Sequence, residues 1–269
     1  MVMGWCRVTR TVMHTIMHTG GTGATGMTIP TEVSARPVPA YPDADLAALY
    51  RLMTWLSPQF PVGSYTYSHG LEQAVEVGYI GHAATALVWI EDVLAHGAGR
   101  SDAIILNHAH AAAFQADWER LAGIAELAAV LQPTSELVLE SHSQGRAFLD
   151  TVRKAWDCPA LEALQAMWPG PHAYPVAVGV AAAGHGIPPI PATQAYLHAF
   201  AGNLVSACIR LVPLGQSDGQ RIIAALEPLV GQVAHQAGCA LLDDLGSAVA
   251  MSDICAMRHE TQYTRLFRS

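Results

Sequence analysis

Apolar positions recur with a helical period from Asp45 onward. Leu46, Leu49, Met53 and Leu56 share one face at 3-4-3 spacing, and Ser57-Pro58 ends the run. Leu87, Ile90 and Leu94 continue the pattern in the next Ala-rich segment. Further helices are expected over 102–115, 117–131 and 135–156, the last capped by Thr134 or Ser135 after Pro133. Leu197, Phe200, Leu204, Cys208 and Leu211 make another stripe. Ile222, Leu226, Leu229 and Val233 make one more, with Pro228 expected to kink it. Alternating β-branched segments are scarce, and the best strand candidate, Val176 to Val180, is short and set among Ala and Gly. The predicted fold class is all-α, a single-domain bundle of about ten helices over 43–258. Residues 1–42 mix Gly, Thr, Pro and Met without periodicity and read as a flexible leader, and residues 259–269 read as a C-terminal tail.

Composition sharpens this picture. Apolar residues make up 51% of the 269 positions and charged residues 13%, about half the usual charged share. A surface with so few charges must expose neutral and apolar area, which points to an extensive protein interface. The net charge of -8 argues against nonspecific binding to nucleic acid or anionic membranes. No Asp, Glu, Lys or Arg occurs between Ala163 and Ile209, but six prolines, Gln194, His198 and Asn203 interrupt the stretch. A membrane-spanning helix needs about 20 mostly apolar residues in sequence, so a buried or partner-covered helical pair is the better reading. The five cysteines include no C-x-x-C pair, which fits a reducing cytosol. Residues 1–31 hold Arg7 and Arg10 and no acid, without the apolar run of a secretory signal; Met13, Met17 and Met27 are available internal starts.

Three motifs invite chemistry and fall short. Gly21-Thr-Gly-Ala-Thr-Gly26-Met27-Thr28 matches a phosphate loop, except that Met27 stands where the lysine is needed. Gly215-Gln-Ser217-Asp-Gly219 matches a nucleophile elbow, and Asp253 and His259 follow in hydrolase order. An α/β serine hydrolase built on Ser217, Asp253 and His259 is therefore the rival reading, but it requires a strand before Ser217. The same letters fit an S-x-x-Q capping box formed by Ser217 and Gln220, which we prefer. The 13 histidines are scattered, apart from His14–His18 and His108–His110, and none has zinc-site spacing.

Three segments carry a resemblance. Residues 55–80 contain Pro-Val-Gly63-Ser-Tyr65-Thr-Tyr-Ser-His-Gly-Leu-Glu72; residues 211–221 read Leu-Val-Pro-Leu-Gly-Gln-Ser-Asp-Gly-Gln-Arg; the end reads His259-Glu-Thr-Gln-Tyr-Thr-Arg-Leu-Phe-Arg-Ser269. In this order, over about Leu46 to Ser269, they closely resemble the UreF family of urease accessory proteins. The first segment also reads physically. Pro58 and Pro61 stop a helix, Gly63 gives a turn, Ser68 caps a new helix, and Glu72 lies near its positive end. The tail, polar until Leu266 and Phe267, has the look of a docking segment that orders on binding.

The resemblance implies an all-helical, cytoplasmic, commonly dimeric protein that is not an enzyme and carries no cofactor. Such proteins join a UreD/UreH-type scaffold and the GTPase UreG in a complex that installs nickel in apo-urease. GTPase activation, a fidelity gate and a nickel conduit all remain open as the role within that complex. Carried over by position, Tyr65, Glu72 and Arg265 are the expected contact or gating residues. Arg210 occupies a position often basic in the family, and Gln216, Ser217, Asp218 and Gln220 form its helix-start turn. Tyr263, Leu266 and Phe267 complete the expected docking tail. Ser64-Tyr65, where many relatives have Gly-Phe, narrows the backbone freedom after Gly63 and adds a hydroxyl.

Overall fold

The computed structural model of the chain describes residues 43–269. The proposed leader, its phosphate-loop-like glycines and the His14–His18 pair lie outside them. Among the described residues there are eleven α-helices and no strand: α1 Asp43–Trp55, α2 Leu71–Glu76, α3 Ala83–His96, α4 Ala98–Phe114, α5 Trp118–Val130, α6 Ser135–Ala155, α7 Pro159–Met167, α8 Tyr174–Gly184, α9 Pro189–Leu211, α10 Gln216–Cys239 and α11 Ala250–His259. Two single 3-10 turns, Ser64–Thr66 and Leu242–Asp244, complete the set. The all-α expectation holds.

Local chemistry sets the helix starts. Thr134 accepts the Leu137 N–H at 3.1 Å, as expected for α6, and Asp117 accepts the Arg120 N–H at 3.1 Å to cap α5. The prolines of the charge-free stretch begin helices as well as interrupting apolar runs: Pro175 and Pro189 sit in the first turns of α8 and α9, where the missing N–H costs nothing. The capping box expected from Ser217 and Gln220 does not form. Instead α10 begins at Gln216, and Asp218 Oδ2 accepts the Gly215 N–H at 3.1 Å, while Ser217 and Gln220 face solvent. A carboxylate is the stronger acceptor at a helix N-terminus. Pro228 lies inside α10, which continues through it to Cys239 with the proline exposed.

The core is organised around α8. Every residue from Pro175 to Ala183 is buried, and the helix packs against α4, α6, α7 and α9. A helix apolar on all sides belongs inside a bundle, which accounts for the lack of charge there. The strand candidate Val176–Val180 is the middle of this helix. Surrounded by other helices, it meets its own backbone hydrogen bonds internally, and β-branching costs it only a few tenths of a kcal/mol per residue. Gly179 lets α4 approach closely: a Cβ there would stand 2.5 Å from the Leu106 carbonyl oxygen.

Helix α1 departs from the expected burial. Leu52, Trp55 and Leu56 are buried, while Leu46, Leu49 and Met53 are exposed. The large indole decides the rotation, since it packs edge-on against Phe148 and Trp156 at 6.0 and 5.8 Å. Leu49 and Met53 line an open apolar groove of about 640 Å³ with α9 and α10. No described helix is long and apolar enough to cross a membrane.

Candidate functional site

The first element of the site is Glu72, in the opening turn of α2. Gly70 precedes it with φ +78°, and a Cβ at Gly70 would lie 2.8 Å from the Ala256 backbone nitrogen. Only glycine permits both the left-handed turn and the close seating of α2 on α11. Ser68 Oγ accepts the Glu72 N–H at 3.3 Å, so Ser68 caps the helix from two residues before its N-cap, Gly70. The Glu72 carboxylate then faces the tail. Its two oxygens accept the Leu266 N–H at 2.6 Å and the Phe267 N–H at 2.9 Å. Two successive amides on one carboxylate fix the path of the tail.

A second carboxylate, Glu136, sits in the first turn of α6. It accepts Arg265 Nη1 at 2.6 Å through one oxygen and meets His259 Nδ1 at 2.6 Å through the other. The other ring nitrogen of His259 meets Glu72 at 3.1 Å. His259 ends α11 and is 0% exposed. The tail ends beside α2: Arg268 N–H donates to the Thr66 carbonyl at 2.8 Å, and Ser68 N–H donates to a Ser269 main-chain oxygen at 2.8 Å. Ser269 Oγ donates to Glu140 at 2.7 Å. Arg210, at the end of α9, ties turn and tail together. Its Nη1 donates to the Tyr65 carbonyl at 2.8 Å, and its guanidinium lies 4.2 Å above the Phe267 ring.

Behind the clamp lies a polar chamber of about 50 Å³, lined among others by His69, Asp102, Glu140, Gln144 and Tyr196, large enough for more than one water. Burial pushes the Asp102 carboxyl up to about 6, although the Tyr196 hydroxyl donates to it at 2.7 Å and opposes the rise. For His69, burial acts downward, but the facing Glu140 carboxylate, 3.6 Å from Nδ1, turns the net shift upward. At 3.6 Å the contact is electrostatic, and Nδ1 has no hydrogen-bond partner.

The structure thus brings together Tyr65, Glu72, Arg210, Arg265, Leu266 and Phe267. The tail is already ordered against its own chain. Phe267 is 4% exposed, and Leu266 and Tyr263 point to solvent, as does the side chain of Tyr65. Gln216, Ser217, Asp218 and Gln220 stand apart at the start of α10, joined to the tail by no described hydrogen bond; Asp218 serves the cap and pairs with Arg221 at 2.6 Å. The serine hydrolase triad is not assembled. Ser217 is exposed on a helix, Asp253 accepts from Ser247 Oγ at 2.9 Å, and both His259 nitrogens face glutamates. No group of three or more His, Cys, Asp or Glu among the described residues is disposed to hold a metal ion. Reading the sequence missed Glu136, Glu140, Ser269 and the true partners of His259. The available signal was two glutamates in the first turns of helices and a histidine at the end of another.

Comparison with known proteins agrees with the family resemblance. The family model described as UreF matches residues 80–227. The chain is 52% identical over 239 residues to the urease accessory protein UreF of Rhodopseudomonas palustris strain TIE-1, covering 88% of this chain and 98% of that protein. It is 52% identical over 225 residues to its counterpart in Bradyrhizobium diazoefficiens, covering 84% and 93%. Against the Methylobacterium radiotolerans protein it is 50% identical over 228 residues, covering 85% and 100%. The chain belongs to the UreF family of urease accessory proteins.

Proposed function

We propose that the chain is a non-catalytic cytoplasmic adaptor, working as a dimer, that bridges a UreD/UreH-type scaffold and the GTPase UreG to promote nickel insertion into apo-urease. Family membership supports the pathway. The observation that supports the docking role is the clamped tail: Glu72 and Glu136 hold it with Tyr263 and Leu266 exposed, beside the exposed Tyr65 of the 3-10 turn. Exposed aromatic and aliphatic anchors on a fixed backbone suit a protein contact, because little ordering entropy is lost on binding. Arg258 and Arg268 are exposed beside them and form no ion pair among the described residues. The 3-10 turn, α2 and the tail lie outside the 80–227 family match, so this docking role rests on their geometry and the resemblance of their motifs.

The test is reconstitution in a host carrying the urease structural and accessory genes. Removing this gene should leave urease protein abundant but low in nickel and activity, and tagged chain should co-purify scaffold and GTPase. Full nickel loading without the gene, or failure to capture the scaffold, would reject the reading.

A further inference from the structure

We infer that His259 is the positioning residue that couples the two glutamates of the clamp, so that the tail is held or released as one unit. This deepens the docking reading proposed above and rests on it for its biological meaning. Glu72 holds only the backbone of Leu266 and Phe267, and Glu136 holds only the Arg265 side chain. They belong to different helices, α2 and α6. The link between them is the imidazole at the end of α11, with Nε2 3.1 Å from Glu72 and Nδ1 2.6 Å from Glu136. A ring with both nitrogens protonated donates to both carboxylates at once. Such a bridge fixes the rotamer of each carboxylate and places the ring between two like charges, one buried and one half-buried. Packing alone has no use for a polar ring at a site with 0% exposure, and a buried polar group serves only when each of its atoms is matched. Loss of the bridge turns the Glu72 and Glu136 holds into separate, weaker ones. The tail then opens locally while the helices stay folded.

The test uses the purified full chain and trypsin under native conditions, with mass spectrometry reading cleavage after Arg265 and Arg268. Proteolysis at a locally opening segment follows the population of the open form. His259→Gln presents one donor and one acceptor. It bridges Glu72 but sets its amide oxygen against Glu136, so cleavage should rise by about tenfold or more with the helical circular dichroism unchanged. The pair His259→Gln with Glu136→Gln restores a donor to face that oxygen and keeps an acceptor for Arg265. It should return cleavage to within about threefold of the parent chain. A tail as protected in His259→Gln as in the parent overturns the inference, and so does a double variant as exposed as the single. His259→Ala is a harsher check, and the glutamine variants carry the test if it fails to fold. The assay contains no partner. Tail release with undiminished scaffold capture would therefore reject the docking reading and leave the coupling role standing.

Discussion

Glu72 shows how one side chain can matter more to a partner than to the fold. Its carboxylate takes two tail amides and one histidine nitrogen, and hydrogen bonds to a charged group are worth about 1.5–3 kcal/mol each. Glu72→Ala should free the tail and reduce urease activation in the reconstituted host by at least about tenfold, while the melting temperature falls by less than those bonds would sum to, because the tail opens locally and the helices stay folded. Equal loss of stability and activation would make Glu72 a structural residue. Asp102 is the opposite case, a carboxyl whose burial opposes charging. Its folded pKa, about 6, lies above the unfolded value of about 3.9. The stabilising contribution of its neutral form is therefore complete below about pH 4 and is lost as pH rises through about 6. His69, also raised, contributes below its unfolded value of about 6.5 and loses that contribution as pH climbs through its higher folded value. Asp102→Asn keeps an acceptor for Tyr196 and removes the first loss, which should stabilise the chain by up to about 3 kcal/mol at neutral pH. Melting temperatures followed from acid to neutral pH should show a flatter profile in the variant; an unchanged slope would count against the assignment. Of the site, Glu72 and Arg265 were legible because their motifs occupy a helix start and a polar chain end. Glu136 and Glu140 were not, because nothing in the local pattern around them shows which distant segment they meet.

At the level of elements, the bundle was legible wherever a helix keeps one apolar and one polar face. Helix α6 begins and ends within a residue of where periodicity and its Thr134 cap place it, while the apolar stripes of α9 and α10 lie inside longer helices whose starts the pattern did not give. The pattern was silent for α8, which has no polar face at all, so a short valine run could be taken for a strand. It was misleading for α1, where two apolar faces compete and the indole of Trp55 decides between them. The contact of α4 with α8 carries its own prediction. Gly179→Ala would place a methyl 2.5 Å from the Leu106 carbonyl oxygen, and neither backbone can yield without moving its helix. Overpacking of this kind costs about 1–3 kcal/mol or more. Urea denaturation should show a lower midpoint with an unchanged slope, because the loss lies in the native packing and the surface exposed on unfolding stays the same. A midpoint equal to that of the parent chain would mean that the helices have room to separate.

For the whole molecule, sparse charge and an ordered tail lead to a prediction about what truncation measures. Deleting Arg265–Ser269 should abolish scaffold capture and preserve helicity, since no helix includes these residues. The same deletion also removes buried Phe267 and strips Ser68 and Glu140 of their Ser269 partners, so some melting temperature must be lost with it. Truncation alone therefore mixes docking with local stability. Tyr263 and Leu266 separate the two, because both side chains face solvent and neither donates or accepts a side-chain hydrogen bond among the described residues. Tyr263→Ala combined with Leu266→Ala should leave the melting temperature within about four degrees, because exposed side chains change stability by only about 0.5 kcal/mol or less each. If they are the anchors of the interface, the same change should weaken scaffold binding by about thirtyfold or more, the effect of losing one central contact residue. Added salt should weaken the parent complex, since Arg258 and Arg268 form no ion pair among the described residues of a chain of net charge -8 and attract a complementary acidic surface over about 10 Å. Titration calorimetry of both chains at two salt concentrations reads the affinity and its salt dependence, and a thermal melt of each chain reads the stability. Full affinity in the double variant would move the docking face away from the tail and toward the apolar groove beside α1.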